Sequence, residues 1–127
     1  MLQRVIALIL IAATCACGGF RAMSVSVPPP QVDAPLAARK GAATAVVAGG
    51  CFWGVQAVFQ HVRGVTRATS GYAGGTAETA HYDVVSSGLT GHAESVEVTY
   101  DPSQITYGQI LRVFFAVAHN PTELNRQ

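Results

Sequence analysis

The chain has 127 residues, of which 50% are hydrophobic and 12% charged, with a formal net charge of +1. That length suits one domain, and that balance belongs to a globular chain rather than a disordered one. With no basic run or patch, a nucleic-acid partner is not expected.

In chain order, residues 1–17 read as an export signal. Arg4 and the amino terminus are positive, Val5 to Ala13 is continuously apolar, and the small residues Thr14, Ala16, Gly18 and Gly19 follow. The run is too short for a bilayer span, which needs about 20 apolar residues. It predicts an exported protein of the periplasm or cell envelope. Cys15 or Cys17 is a candidate lipid acceptor, which would attach the N-terminus to a membrane. If the run is not a signal, a cytoplasmic location is expected instead. Residues 18–43, with Pro28-Pro29-Pro30, read as a stiff linker rich in Pro, Ala and Ser. The domain then occupies residues 44–127.

Of the three cysteines, Cys51 alone lies in that domain. A lone thiol makes no disulfide framework and is a candidate nucleophile. Without a Cys-x-x-Cys or His/Cys ligand spacing, no metal site is expected.

Ala45-Val46-Val47-Ala48 reads as a buried strand. After it, Phe52, Val55, Val58, Phe59 and Val62 recur at helical spacing, predicting a helix that ends near His61-Val62-Arg63. Cys51 therefore stands at a strand-to-helix turn behind Gly49 and Gly50, at or near the helix's first residue. There the unpaired N–H groups and the positive helix end would face the sulfur and favour the thiolate. The plainer reading is a small buried hydrophobe; the two glycines and the Phe52-Trp53 pair favour the reactive one.

Val65 to Tyr72 is predicted as a second strand with weak alternation. Residues 73–92 form a long Gly/Ser/Thr-rich connection that carries His81, Tyr82 and Asp83, a length that suggests a functional loop. Glu94 to Tyr100 alternates cleanly, with Val96, Val98 and Tyr100 on one face and Ser95, Glu97 and Thr99 on the other. Glu94 shares the apolar face, where desolvation would favour its neutral form. Glu97 reads as a solvated surface charge. Thr106 and Gln109 fit a capping box, followed by Tyr107, Ile110, Leu111, Phe114 and Ala118 on one helical face until Asn120-Pro121.

This order predicts an α+β, two-layer fold, the split βαβ or ferredoxin-like pattern without its closing strand. The absent strand would lie beside the first, leaving Val46 and Val47 on an uncovered edge. A truncated chain of marginal stability is the expectation.

A thiolate (Cys51) beside an aromatic surface (Phe52, Trp53), a neutral acid (Glu94) and a loop hydroxyl (Tyr82) suits attack on a soft electrophile whose leaving oxygen needs a proton. Sulfoxide sulfur is such a centre, and a methyl thioether packs well on an aromatic ring. A histidine partner for Cys51 would instead suggest a cysteine hydrolase. His92 reads mainly as a loop-orienting residue. His61 reads as a helix-end residue and His81 as exposed. His119 shares the helix-end reading, with a part in holding the substrate region as the alternative.

Gly50-Cys51-Phe52-Trp53-Gly54, Ser70-Gly71-Tyr72-Ala73-Gly74-Gly75, Tyr82, Gly91-His92-Ala93-Glu94, Tyr100-Asp101-Pro102 and His119-Asn120-Pro121-Thr122 together resemble the A-type peptide methionine sulfoxide reductases. The likeness runs from about Ala45 to Gln127. It implies that Cys51 attacks the sulfoxide sulfur, that Glu94 and Tyr82 bind the oxygen, and that Glu94 protonates it. Phe52 and Trp53 would hold the substrate's methyl group. Methionine would leave, with Cys51 as a sulfenic acid. The implied substrates are oxidised proteins or free methionine S-sulfoxide. No cofactor is implied beyond an external thiol, thioredoxin or dithiothreitol. The chain departs from the family in stopping before a further aspartate, tyrosine and strand, in lacking a C-terminal recycling cysteine, and in having Asn120 where aspartate is frequent. The alternative is an inactive fragment, or a remnant that only binds methionine-containing peptides.

Overall fold

The structure is a computed structural model that describes residues 26–120 and residue 122. The expected export signal, with Cys15 and Cys17, lies outside the described residues.

Three strands form one sheet in the order β1 (Ala43–Val47), β3 (Ala93–Tyr100), β2 (Val65–Ala73). β3 is central and antiparallel to both neighbours, with Val47 opposite Val96 and Tyr72 opposite Glu94. β1 and β2 are therefore parallel and split by β3, the arrangement expected of a split βαβ unit. The outer edge of β1 pairs with no strand among the described residues. Val46 and Val47 both lie on that edge strand, as expected, with Val46 on its exposed face and Val47 on its buried one. Period-two alternation sends neighbouring side chains to opposite faces, so the two valines cannot share one environment.

One sheet face carries α1 (Phe52–Gln60) and α3 (Tyr107–Val113), the latter continued by a π turn over Phe114–Ala118. The core joins Ala45 and Val47, Ala68, and Val96, Val98 and Tyr100 to Phe52, Val55, Phe59, Ile110 and Phe114. The opposite face is polar, and its Arg67–Glu97 ion pair at 3.0 Å is exposed on both sides, as expected for Glu97.

Several expectations change. α1 stops at Gln60, and Val62 lies in the following turn, where its N–H donates to the Phe59 carbonyl. β2 alternates weakly because a bulge between Val65 and Arg67 shifts its register. The connection after β2 holds a 3-10 turn (Ala77–Thr79) and a short helix, α2 (Tyr82–Val85). Ser95, expected outside, is buried, with its hydroxyl donating to the Ala93 carbonyl at 3.0 Å. Tyr107, expected on the apolar face, is exposed at the first position of α3.

The capping box of α3 forms in both directions: Gln109 N–H donates to Thr106 Oγ1 at 3.1 Å, and Thr106 N–H donates to Gln109 Oε1 at 2.9 Å. The segment expected as linker lies against this helix. Asp33 accepts from the Thr106 hydroxyl and from Gly108 N–H, the latter at 3.0 Å. Arg112 Nε donates to the Val27 carbonyl at 2.9 Å. The first amides of a helix lack internal partners, and a carboxylate there also meets the positive helix end.

Asp101, 1% exposed, anchors the same segment from the far end of β3. It accepts from Gly41 N–H, from Ser103 N–H and hydroxyl, and from Gln104 Nε2. Those donors, Gln104 and Ser103 foremost, hold its carboxyl well below the ordinary 3.8. A carboxyl depressed in the folded state stabilises it fully above the unfolded value and loses that contribution as pH falls through the folded value. Thermal stability should therefore drop as pH is lowered below about 4, the unfolded range of Asp. Asp101→Asn should be less stable at pH 7 and show a flatter acid limb, measured by melting curves between pH 7 and pH 2. An acid limb as steep as that of the parent would overturn this role.

Candidate active site

The site forms where β1 turns into α1. Gly50 has φ of +88°, a left-handed conformation that glycine adopts without penalty. A Cβ on Gly49 would meet the Phe114 ring at 2.6 Å, so the backbone passes directly over that ring. Gly49→Ala should lower stability by about 1–3 kcal/mol through overpacking. Urea unfolding checks this, and an unchanged midpoint would contradict it.

Cys51 is the N-cap residue of α1 and is exposed. Its side chain makes no capping bond, and its carbonyl accepts from Gly54 N–H at 3.2 Å. The expectation that free helix amides face the sulfur needs correction at the first of them. Phe52 N–H donates instead to Glu94 Oε2 at 3.0 Å. Glu94 is the second residue of β3, on the helix-facing side, and the β1–α1 turn passes over that end of the sheet. The carboxyl thus meets the amide immediately after Cys51. Oε2 is the accepting oxygen.

Phe52 is 7% exposed and Trp53 67% exposed, with ring centroids 5.3 Å apart in an edge-to-face pair. The Phe52 ring therefore belongs largely to the core, and Trp53 offers the open aromatic surface. Tyr82 begins α2 and is exposed.

Tyr72 was not among the expected site residues. It stands opposite Glu94 across the β2–β3 ladder and packs against Phe52 at 5.6 Å. Its hydroxyl is pushed above the ordinary 10.0, first by removal from water and then by the charges of Glu94, Tyr82 and Asp83. Parity within β2 puts Tyr72 on the face of Ala68 and Ser70.

Three of the four histidines hold nearby backbone. His61 Nδ1 pairs with the Ala57 carbonyl at 2.8 Å. His92 Nδ1 accepts from Gly75 N–H at 3.2 Å, and its Nε2 donates to the Thr76 carbonyl at 2.9 Å. Those two bonds fix one neutral tautomer and tie down the start of the long loop. His119 Nδ1 meets the Gly49 carbonyl at 3.2 Å. His81 is exposed ahead of α2. Among the described residues no group of three His, Cys, Asp or Glu side chains is placed to hold a metal ion, and no helix is long and apolar enough to cross a membrane.

An accessible thiol at a helix start, with a carboxyl group on the adjoining amide, thus stands on a two-layer α+β scaffold. The chain belongs to the peptide methionine sulfoxide reductase family, whose profile matches residues 43–127. The peptide methionine sulfoxide reductase MsrA 2 of Mesorhizobium japonicum is 66% identical over 90 residues, covering 71% of this chain and 46% of that protein. The protein of the same name from Synechocystis sp. is 52% identical over 103 residues, covering 80% and 48%. The peptide methionine sulfoxide reductase MsrA of Deinococcus radiodurans is 55% identical over 83 residues, covering 65% and 40%. The chain spans about half the length of the curated relatives it matches.

Proposed function

We propose that the protein reduces methionine S-sulfoxide, free or in oxidised proteins, to methionine. The Cys51 thiolate attacks the sulfoxide sulfur, and Glu94 delivers a proton to the oxygen while the Tyr82 hydroxyl donates a hydrogen bond to it. The oxygen passes to Cys51, methionine departs, and a sulfenic acid remains. Trp53, backed by Phe52, packs the substrate's methyl group. A first external thiol condenses with the sulfenic acid, releasing water and forming a disulfide. A second thiol reduces that disulfide and restores Cys51. In this reading a thioredoxin-like protein or dithiothreitol supplies both thiols. The apolar run Val5–Ala13 supports export to the periplasm or cell envelope.

One contact carries the reading: the 3.0 Å bond from Phe52 N–H to Glu94 Oε2, which joins the acid to the residue beside the thiol. Family membership supports it independently. A second reading is favoured by the 46% coverage of the Mesorhizobium protein: this stretch by itself retains the pocket and binds methionine-containing peptides without turnover. Dabsyl-methionine sulfoxide with dithiothreitol tests the first reading, with a Cys51→Ser variant as control. Cys51-dependent turnover supports it. Folded chain that binds the peptide but does not turn it over favours the second. Intact mass of the purified protein tests export by reporting removal or lipidation of the N-terminus.

A further inference from the structure

His119 lies 70 positions from Gly49, yet its Nδ1 sits 3.2 Å from the Gly49 carbonyl oxygen. A carbonyl only accepts, so Nδ1 carries the proton in this contact. Two features aim the ring. The π turn Phe114–Ala118 closes with His119 N–H donating to the Phe114 carbonyl at 2.9 Å. The imidazole then stacks on the Phe114 ring at 5.2 Å, nearly parallel at 13°. Phe114 is also the ring over which Gly49 passes without room for a Cβ. Phe114 and His119 thus hold both the plane and the carbonyl of the Gly49–Gly50 peptide, one link before the peptide that joins Gly50 to Cys51. A π turn adds one residue to a helical turn and so re-aims the side chains downstream of it, which is how such turns commonly serve functional sites.

We propose that His119 is a positioning residue: its Nδ1–H, donated to the Gly49 carbonyl, fixes the glycine turn that presents Cys51 and sets the Phe52 amide on Glu94. Gly50, free to rotate at positive φ, is the joint that needs this brace. The functional meaning rests on the role proposed for Cys51, but the brace itself is measurable without any sulfoxide turnover.

The test uses the full chain, labelled with nitrogen-15. Long-range nitrogen–proton correlation should find His119 in the Nδ1–H tautomer; the Nε2–H tautomer overturns the proposal. His119→Asn keeps an amide donor where Nδ1 stands, whereas His119→Gln carries the same group one bond farther out, near the Nε2 position. Hydrogen exchange of the Phe52 amide should stay within about twofold of the parent in His119→Asn and accelerate about five- to tenfold in His119→Gln, the worth of one hydrogen bond. The Phe59 amide, in the body of α1, reports any global loss of stability and should stay level. Equal behaviour of the Asn and Gln variants overturns the proposal. If His119→Gln does not fold, His119→Asn decides alone: parent-like exchange at Phe52 supports the brace, and faster exchange there with Phe59 unchanged overturns it. A chain that passes these tests yet leaves dabsyl-methionine sulfoxide intact refutes the catalytic reading and not the brace.

Discussion

On the proposed mechanism, Glu94→Gln is expected to lower kcat for methionine sulfoxide reduction by about a hundredfold or more, the scale of a general acid. Glutamine keeps an oxygen that can accept from Phe52 N–H, so the 3.0 Å contact at the start of α1 has a substitute and the turn should hold. What glutamine lacks is a proton to give. The loss should therefore fall on kcat while the melting temperature stays close to the parent's. Glu97→Gln is the matched control, because Glu97 is exposed and paired only with Arg67 at the surface. Exposed pairs contribute about 0–1 kcal/mol, and turnover should be unchanged. A Glu94→Gln enzyme with parent-like kcat would remove the acid from the mechanism and return attention to hydrolytic chemistry at Cys51.

The second large effect is on stability. Phe59 has 0% of its surface exposed and joins α1 to the core. Phe59→Ala removes a full ring from a site with little freedom to collapse, at a cost of about 3–5 kcal/mol. Small domains have only about 5–15 kcal/mol in total. The melting temperature should fall by more than about 10 °C, since each kcal/mol shifts a domain of this size by about 4–8 °C. Val46→Ala, on the exposed outer face of β1, should stay within about 0.5 kcal/mol. If calorimetry found the two variants equal, the core would not be organised around α1 as described.

The α1–β3 contact also explains why chemistry and stability meet at one end of the sheet. Phe52 is a core residue by burial, yet its amide holds Glu94 and its ring supports both Trp53 and Tyr72. A substitution there would disturb packing and site together, which makes Glu94 and His119 the cleaner probes.

Local pattern by itself determined a good deal. The alternation of residues 94–100, the capping box at Thr106 and Gln109 and the glycine turn before Cys51 all involve neighbours within a few residues, where backbone sterics and periodicity act directly. Those patterns also order the elements, and the order restricts the topology to the split βαβ arrangement that the sheet adopts. Periodicity says which face a side chain takes; it does not say what stands opposite. Only the tertiary structure decided that Tyr72 faces Glu94, because the register of β2 on β3 passes through a bulge and a long connection. Only it brought Glu94 to the Phe52 amide, Asp33 to the start of α3 and His119 to Gly49. Each of those bonds joins residues far apart in the chain, and such partners are selected by how two layers close around one core, a property no short stretch of sequence carries.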